Sequence, residues 1–265
     1  MVRRDMSARL LALIAAMLVT ACSDTSADRS GMLVTQAEAH VPAATGDPRH
    51  PVVLELFQSQ GCSSCPPANA NVNALAARPD ILALSFAVTY WDQLGWKDKF
   101  ASAAYTAREW DYSHAAHEGT VSTPHIVING RAAVVGTNRP ALDAAIARQG
   151  PLPGSPVIDQ MATDGAGPSR ILIGAAPFTP GPDARAATVW GVDYDPREQA
   201  VAISAGENSG RTLPHRNIVR RLAIIGTWSG RSARYALPRP QDSAYRQAVL
   251  IQLGSGGPLL TARKL

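Results

Sequence analysis

Residues 52–75 read VVLELFQSQGCSSCPPANANVNAL, and the two prolines after the second cysteine narrow what this stretch can become. Neither Pro66 nor Pro67 sits cheaply inside a helix, because each lacks a backbone N–H and its ring crowds the preceding turn. In a first turn the missing N–H has no intrahelical partner anyway, so the pair marks a helix start. The apolar run VVLELF ahead of it is rich in strand formers and too short for a helix. The expectation is a strand, a short loop carrying Cys62, and a helix opening at Cys65. A cysteine at a helix N-terminus meets unsatisfied N–H groups and the positive end of the dipole, which favours its thiolate. Such a pair serves as a working dithiol, a metal clip or a covalent staple.

The chain has one further cysteine, Cys22. It follows a basic region, MVRRDMSAR, and an apolar core, LLALIAAMLVTA. That core is shorter than the roughly 20 residues of a membrane span, and residues 1–21 are organised as a secretory signal peptide. Val19-Thr20-Ala21-Cys22 resembles the bacterial lipobox, which implies cleavage before Cys22 and lipidation of its thiol. The alternative is a cut after Ala37-Glu38-Ala39 that discards Cys22. Residues 22–50 are rich in Ala, Thr, Ser and Asp, lack periodicity, and read as a flexible tether.

Export to the periplasm or cell envelope leaves Cys62 and Cys65 as the thiols of the folded protein in an oxidising compartment. A bridge across two intervening residues constrains the unfolded chain little, so a staple is a poor reading. Charge argues against nucleic acid as a partner. Of the 25 basic and 21 acidic residues, Arg3, Arg4, Arg9 and Asp5 belong to the leader, leaving 22 against 20, with no basic run.

Further along, ILALSFAV (81–88) has the unbroken apolarity of a strand buried on both faces. YWDQLGWKDKF is irregular, and a helix is expected from about Ser102 to His117. PHIVING and AAVVGT flank Asn129-Gly130, a hairpin signal. RPALDAAIARQG carries Pro140 near the start of a helix and Gly150 at its end. These elements make an α/β domain over residues 51–150, closed by the linker-like PLPGSP at 151–156. Residues 157–265 have a different texture. The short β-like runs RILIGAAP, ATVWGVDYD, QAVAISAGE, IVRRLAIIGTW and AVLIQLG are parted by Asp-Pro, Ser-Gly and Gly-Gly turns. That pattern suggests a β-rich, sandwich-like C-terminal domain, although NIVRRLAII also suits a helix.

Strand, CxxC, helix, strand, helix, hairpin, helix is the thioredoxin arrangement. ELFQSQGCSSCPPA, YWDQLGWKDKFAS, TPHIVING and GENSGRTLPHRNIVRRL together resemble a bacterial thioredoxin-like family known as domain of unknown function 1223, over nearly all of the chain after residue 50. The resemblance implies a secreted or periplasmic protein with a thioredoxin-like domain and a β-rich extension, and it implies no reaction. Thioredoxin-like proteins set a cis-proline opposite the CxxC. Thr123-Pro124 stands at that place, where the backbone of Thr123 would pair with an extended substrate segment beside Cys62. They also carry an acid in the strand before the dithiol, and Glu55 matches it as a proton relay for Cys65, unless it lies at an exposed strand edge. Where a typical thioredoxin has Trp before the first cysteine and Gly-Pro between the two, this chain has Gly61 and Ser63-Ser64, so the resemblance leaves the potential open.

On this reading Cys62 is the nucleophile and Cys65 resolves the mixed disulfide. The partner is a protein or small-thiol substrate or a membrane redox protein, and no cofactor is needed beyond the Cys62–Cys65 disulfide. Among Tyr90, Trp91, Asp92 and Trp96, Trp91 is the candidate substrate contact, although aromatics after a core strand commonly serve as anchors. Glu207, Asn208 and His215 read as turn and interdomain hydrogen-bonding residues. The rival is metal. His114 and His117 are spaced i, i+3 and His125 follows Pro124, so Cys62, Cys65 and His125 suit zinc or copper. A third reading is an inert dithiol in a binding module.

Overall fold

The strand formers ahead of the dithiol make β1 (Val52–Gln58), and Cys65–Leu75 makes α1 with both prolines in its first turn. A computed structural model describes residues 47–161, 167–180 and 185–265, all of them within the compact unit Val41–Leu265. The signal peptide, Cys22 and nearly all of the tether lie outside the described residues. After α1 come β2 (Ile81–Ala87), a single 3-10 turn at Asp92–Leu94, and α2 (Ala103–Ala115), then β3 (His125–Ile128), β4 (Ala132–Val134) and α3 (Arg139–Gln149). Ser102 caps α2 by accepting from the Ala104 N–H at 3.3 Å, and Asn138 caps α3 by accepting from Ala141 at 3.0 Å. Asn129 and Gly130, with φ of 53° and 64°, supply the paired left-handed conformations of a tight hairpin turn.

The remaining strands are β5 (Ile158–Met161), β6 (Ser169–Ile173), β7 (Ala187–Asp195), β8 (Gln199–Ala202), β9 (Thr212–His215), β10 (Ile218–Trp228), β11 (Ala233–Leu237), β12 (Arg246–Gln252) and β13 (Leu259–Lys264). They do not form a sandwich-like domain of their own, and the expected division into a thioredoxin-like α/β domain and a β-rich one is corrected here. A single mixed sheet of eight strands runs β13-β12-β7-β10-β2-β1-β3-β4, with four strands from each side of residue 151. Three α-helices accompany it among the described residues.

The join lies between β2 and β10, which meet in parallel with Ile218 opposite Ser85. The Ser85 N–H donates to the Asn217 carbonyl at 2.9 Å, and the Asn217 side-chain amide donates to the Ala83 carbonyl at 2.8 Å. The physical reason is the burial of β2. All seven of its residues are buried, so the backbone groups along its outer edge need partners from the protein. NIVRRLAII is accordingly strand: β10 pairs antiparallel with β7 from Ile218–Asp195 to Trp228–Ala187, with two register shifts.

A three-stranded sheet, β11-β6-β5, covers β7 and β12 through Ile158, Ile171, Ile173, Val189, Val249 and Ile251. The β8–β9 hairpin leans on α1, where the Asn73 side chain donates to the Pro214 carbonyl at 3.1 Å.

Parity along β1 sorts its side chains. Val52, Leu54 and Leu56 pack with α1 and α3, while Val53 and Phe57 pack with Tyr105 and Tyr112 of α2. Glu55 falls on the second face. Its carboxylate accepts from Nε and Nη2 of Arg108 and, at 2.6 Å, from the Tyr112 hydroxyl. Gln252 of β12 accepts from Arg108 Nη1 at 3.1 Å and donates to the Tyr112 oxygen at 3.1 Å. All four residues are buried.

Removing the cation from such a pair leaves an uncompensated buried charge, which costs about 3–5 kcal/mol. Arg108→Ala is expected to lower the unfolding free energy by about that amount in a urea titration. The double change Glu55→Gln with Arg108→Met, which strands no charge, is expected to lose less. Equal losses would show that the charge is not what matters.

Candidate active site

The loop Ser59–Ser64 turns the chain from the end of β1 into α1. Its backbone closes on itself: the Cys62 N–H donates to the Ser59 carbonyl and the Cys65 N–H to the Cys62 carbonyl, both at 3.2 Å. The Ser64 side chain does not cap the helix. Its hydroxyl lies instead 3.2 Å from Cys62 Sγ and donates to the Thr123 carbonyl at 3.3 Å. Cys62 Sγ is also 3.6 Å from that carbonyl. Both cysteines are free thiols.

This setting drives the two thiols apart. Cys62 is lowered to about 6, first by the hydrogen bond from Cys65, against burial, and then by Ser64 and Thr123. Cys65 is pushed far up, first by burial and then by the hydrogen bond and charge of Cys62. One thiol is thus held ready as thiolate and the other as thiol.

Of the candidates read from the sequence, Cys62, Cys65, Thr123, Pro124 and Trp91 come together. The Thr123-Pro124 peptide bond is cis and Pro124 is buried. The Trp91 indole N–H donates to the Thr123 hydroxyl at 2.8 Å, so Trp91 holds the wall opposite the dithiol. Glu55 does not join them. It faces α2 and is committed to Arg108 and Tyr112.

His125 lies next to Pro124, but its Nδ1 faces Glu109 Oε1 at 3.5 Å. His114 is exposed against Trp110, with ring centroids 5.3 Å apart, and His117 is exposed. Among the described residues no three His, Cys, Asp or Glu side chains are grouped to hold a metal ion. Cys22 lies outside the described residues.

Residues from the far half of the chain complete the enclosure. The loop between β8 and β9 reaches across to the dithiol. The Ser63 N–H and hydroxyl both donate to Glu207 Oε2, at 3.0 and 2.6 Å. The amide of Asn208, 0% exposed, donates to the carbonyls of Gln60 and Cys62 at 2.8 Å each. Arg211 braces it by donating to Asn208 Oδ1 at 2.7 Å. Gly206, at φ 75°, makes the close approach possible: a Cβ there would point at Trp96 and Gly61, 3.4 Å from the Trp96 Cβ.

Sequence reasoning read Glu207 and Asn208 as hydrogen-bonding residues without connecting them to the dithiol, read Ser63 and Ser64 only as the pair that stands in place of Gly-Pro, and missed Glu109. For Glu109 a signal existed, because it shares the buried stripe of α2 with Tyr105 and Tyr112. Both cysteines are 0% exposed, so a partner reaches Cys62 only when part of this cover moves.

The dithiol thus sits covered at the end of a mixed sheet, walled by both halves of one chain. The chain belongs to the family described as Protein of unknown function (DUF1223), which matches residues 53–252. A crystal structure of a protein from Agrobacterium tumefaciens is 29% identical, with a TM-score of 0.64 over 81% of this chain and 93% of that one. HBP35 of Porphyromonas gingivalis is similar in fold alone, at 12% identity and a TM-score of 0.52 over 83% of this chain and 76% of that one. No curated protein matches the chain significantly.

Asn208→Ala leaves two loop carbonyls without their buried donor, which costs about 1–3 kcal/mol. The expected result is a lower melting temperature together with faster alkylation of Cys62 by a small reagent. Unchanged alkylation would show that Asn208 does not hold the loop shut.

Proposed function

We propose that this protein exchanges thiols and disulfides through Cys62 and Cys65 in the cell envelope, on a protein or small-thiol partner. The observation that carries the reading is a pair of neighbouring free thiols with Cys62 Sγ set against the Ser64 hydroxyl and the Thr123 carbonyl, a setting that lowers Cys62 to about 6 and raises Cys65. Exchange needs that asymmetry: a thiolate to attack an incoming disulfide, and a second thiol retained until the mixed disulfide forms. Thr123, Pro124 and Trp91 form the wall beside Cys62, where a partner's sulfur must approach. A metal site is the weaker reading, because His125 is turned to Glu109 rather than to the thiols.

The leader, MVRRDMSAR followed by LLALIAAMLVTA, supports export, and Cys22 supports a lipid anchor. Labelling with radioactive palmitate that disappears in Cys22→Ser tests the anchor. Labelling that persists in that variant sinks it.

A thiol lowered to about 6 is mostly thiolate at neutral pH, and its thiolate fraction falls as pH drops through about 6. Alkylation of reduced protein should therefore be half-maximal near pH 6 rather than near the ordinary thiol value of about 8.5. Cys65→Ser should accumulate a mixed disulfide at Cys62, and Cys62→Ser should accumulate none. An ordinary titration together with no trapped partner would refute the exchange reading.

A further inference from the structure

Glu109 is a second buried carboxylate, and the ion pair that holds Glu55 leaves it out. Its side chain is 0% exposed. Oε2 accepts from the Tyr90 hydroxyl at 3.2 Å, while Oε1 has no hydrogen-bond partner. The nearest cationic candidate, His125 Nδ1, is 3.5 Å from Oε1 and is itself buried without a partner. Two orphaned buried atoms that face each other are both satisfied by one proton between them.

The groups on either side of Glu109 extend this contact into a path. At one end Tyr90 adjoins Trp91, whose indole N–H holds the Thr123 hydroxyl at 2.8 Å, and the Thr123 carbonyl lies 3.6 Å from Sγ of Cys62 in the dithiol. At the other end His125, 14% exposed, lines two adjoining cavities of about 500 and about 220 Å³, and the smaller one reaches Pro124. Glu118 lines both cavities as well. Tyr194 of β7 packs in the same cluster, and two other groups on this side of the sheet are engaged elsewhere. Glu55 on β1 holds Arg108 and Tyr112 of α2, and Tyr105 of α2 donates to the Val219 carbonyl at 3.2 Å.

We propose that Glu109, acting through Tyr90, takes up the proton of Cys65 in the resolving step and passes it by way of His125 to solvent in the groove beside Pro124. The inference deepens the thiol–disulfide reading and rests on it. In that step Cys65 Sγ bonds to Cys62 Sγ, the bond between Cys62 and the substrate sulfur breaks, and the substrate leaves as a thiolate with the bonding electron pair. The protein dithiol gives up two electrons to the substrate disulfide. The proton of Cys65 goes to the Glu109 carboxylate. In the reverse direction the same acid returns a proton to Cys65 as the internal disulfide opens. Burial, which holds Cys65 in the thiol form, is why a base is required. Glu109 acts through Tyr90, so it is a positioning residue for this step.

The test loads Cys62 with a chromogenic aromatic thiol through its symmetrical disulfide and follows release of the coloured thiolate by Cys65. Glu109→Gln preserves shape and removes the base. It is expected to leave capture by Cys62 unchanged and to slow release by about tenfold or more below neutral pH. The difference should shrink as pH rises and hydroxide takes over. Glu109→Asp should restore part of the rate, and His125→Gln should slow release less than Glu109→Gln. Where Glu109→Gln does not fold, Tyr90→Phe deletes only the connecting hydroxyl and carries the same expectation. Release with the wild-type pH profile, or slowed equally at every pH, would overturn the relay and leave the exchange reading standing. A wild-type protein that never captures the probe would overturn both.

Discussion

A carboxylate in the middle of a fully buried strand stays charged only if a cation is brought to it, because the penalty for leaving water unpaired is several kcal/mol. All seven residues of β1 are buried, and Glu55 is at its centre. Arg108 of α2 meets the requirement, but a buried guanidinium has five N–H donors of its own to place. One goes to Gln252, which also accepts from the Trp190 indole at 3.0 Å. Satisfying Glu55 therefore ties α2 to β12 and β7, strands more than 70 residues further along the chain. A C-terminal half folded as a separate body would leave Arg108 Nη1 without its Gln252 partner.

The same logic sets how much was readable in advance. Local features were: the proline pair at the start of α1, Pro140 and Gly150 at the two ends of α3, and the Asn129-Gly130 turn all depend on residues a few positions apart. The continuous sheet was not readable, because it rests on Asn217 and Ile218 meeting Ala83 and Ser85 across more than 130 residues. No periodicity in either segment announces that pairing, and PLPGSP imitates a domain boundary. The place of Glu55 was half readable. Alternation puts it with Val53 and Phe57, but which face receives α1 and which α2 depends on packing that strand parity does not specify.

This dependence runs through to the dithiol. The carbonyls of Gln60 and Cys62 are satisfied by Asn208, which sits in the loop between β8 and β9, and that hairpin leads directly into β10. The pairing of β10 with β2 therefore fixes where Asn208 can be, and through it the shape of the loop carrying Cys62. Trp96 adds a second tie from the near side, its indole N–H donating to Gln60 Oε1 at 2.9 Å. The loop backbone is also held by Asp98, whose Oδ2 accepts from the Gln60 N–H at 3.0 Å. The dithiol is thus placed by the whole sheet rather than by the CxxC segment alone. Sequence motifs locate the cysteines but do not describe their cover.

Two buried carboxylates on the same side of the sheet divide the work between them. Glu55 is engaged on both oxygens by Arg108 and Tyr112 in a fully buried site, and that contact serves the architecture. Glu109 has no such partner. One oxygen accepts from a phenol and the other faces an imidazole. An acid that exchanges protons has to be buried enough to sit near a protected thiol and lightly enough paired to change state. In this chain the acid in the strand before the dithiol is committed to Arg108 and Tyr112, and the proposed proton transfer uses the acid on α2 instead.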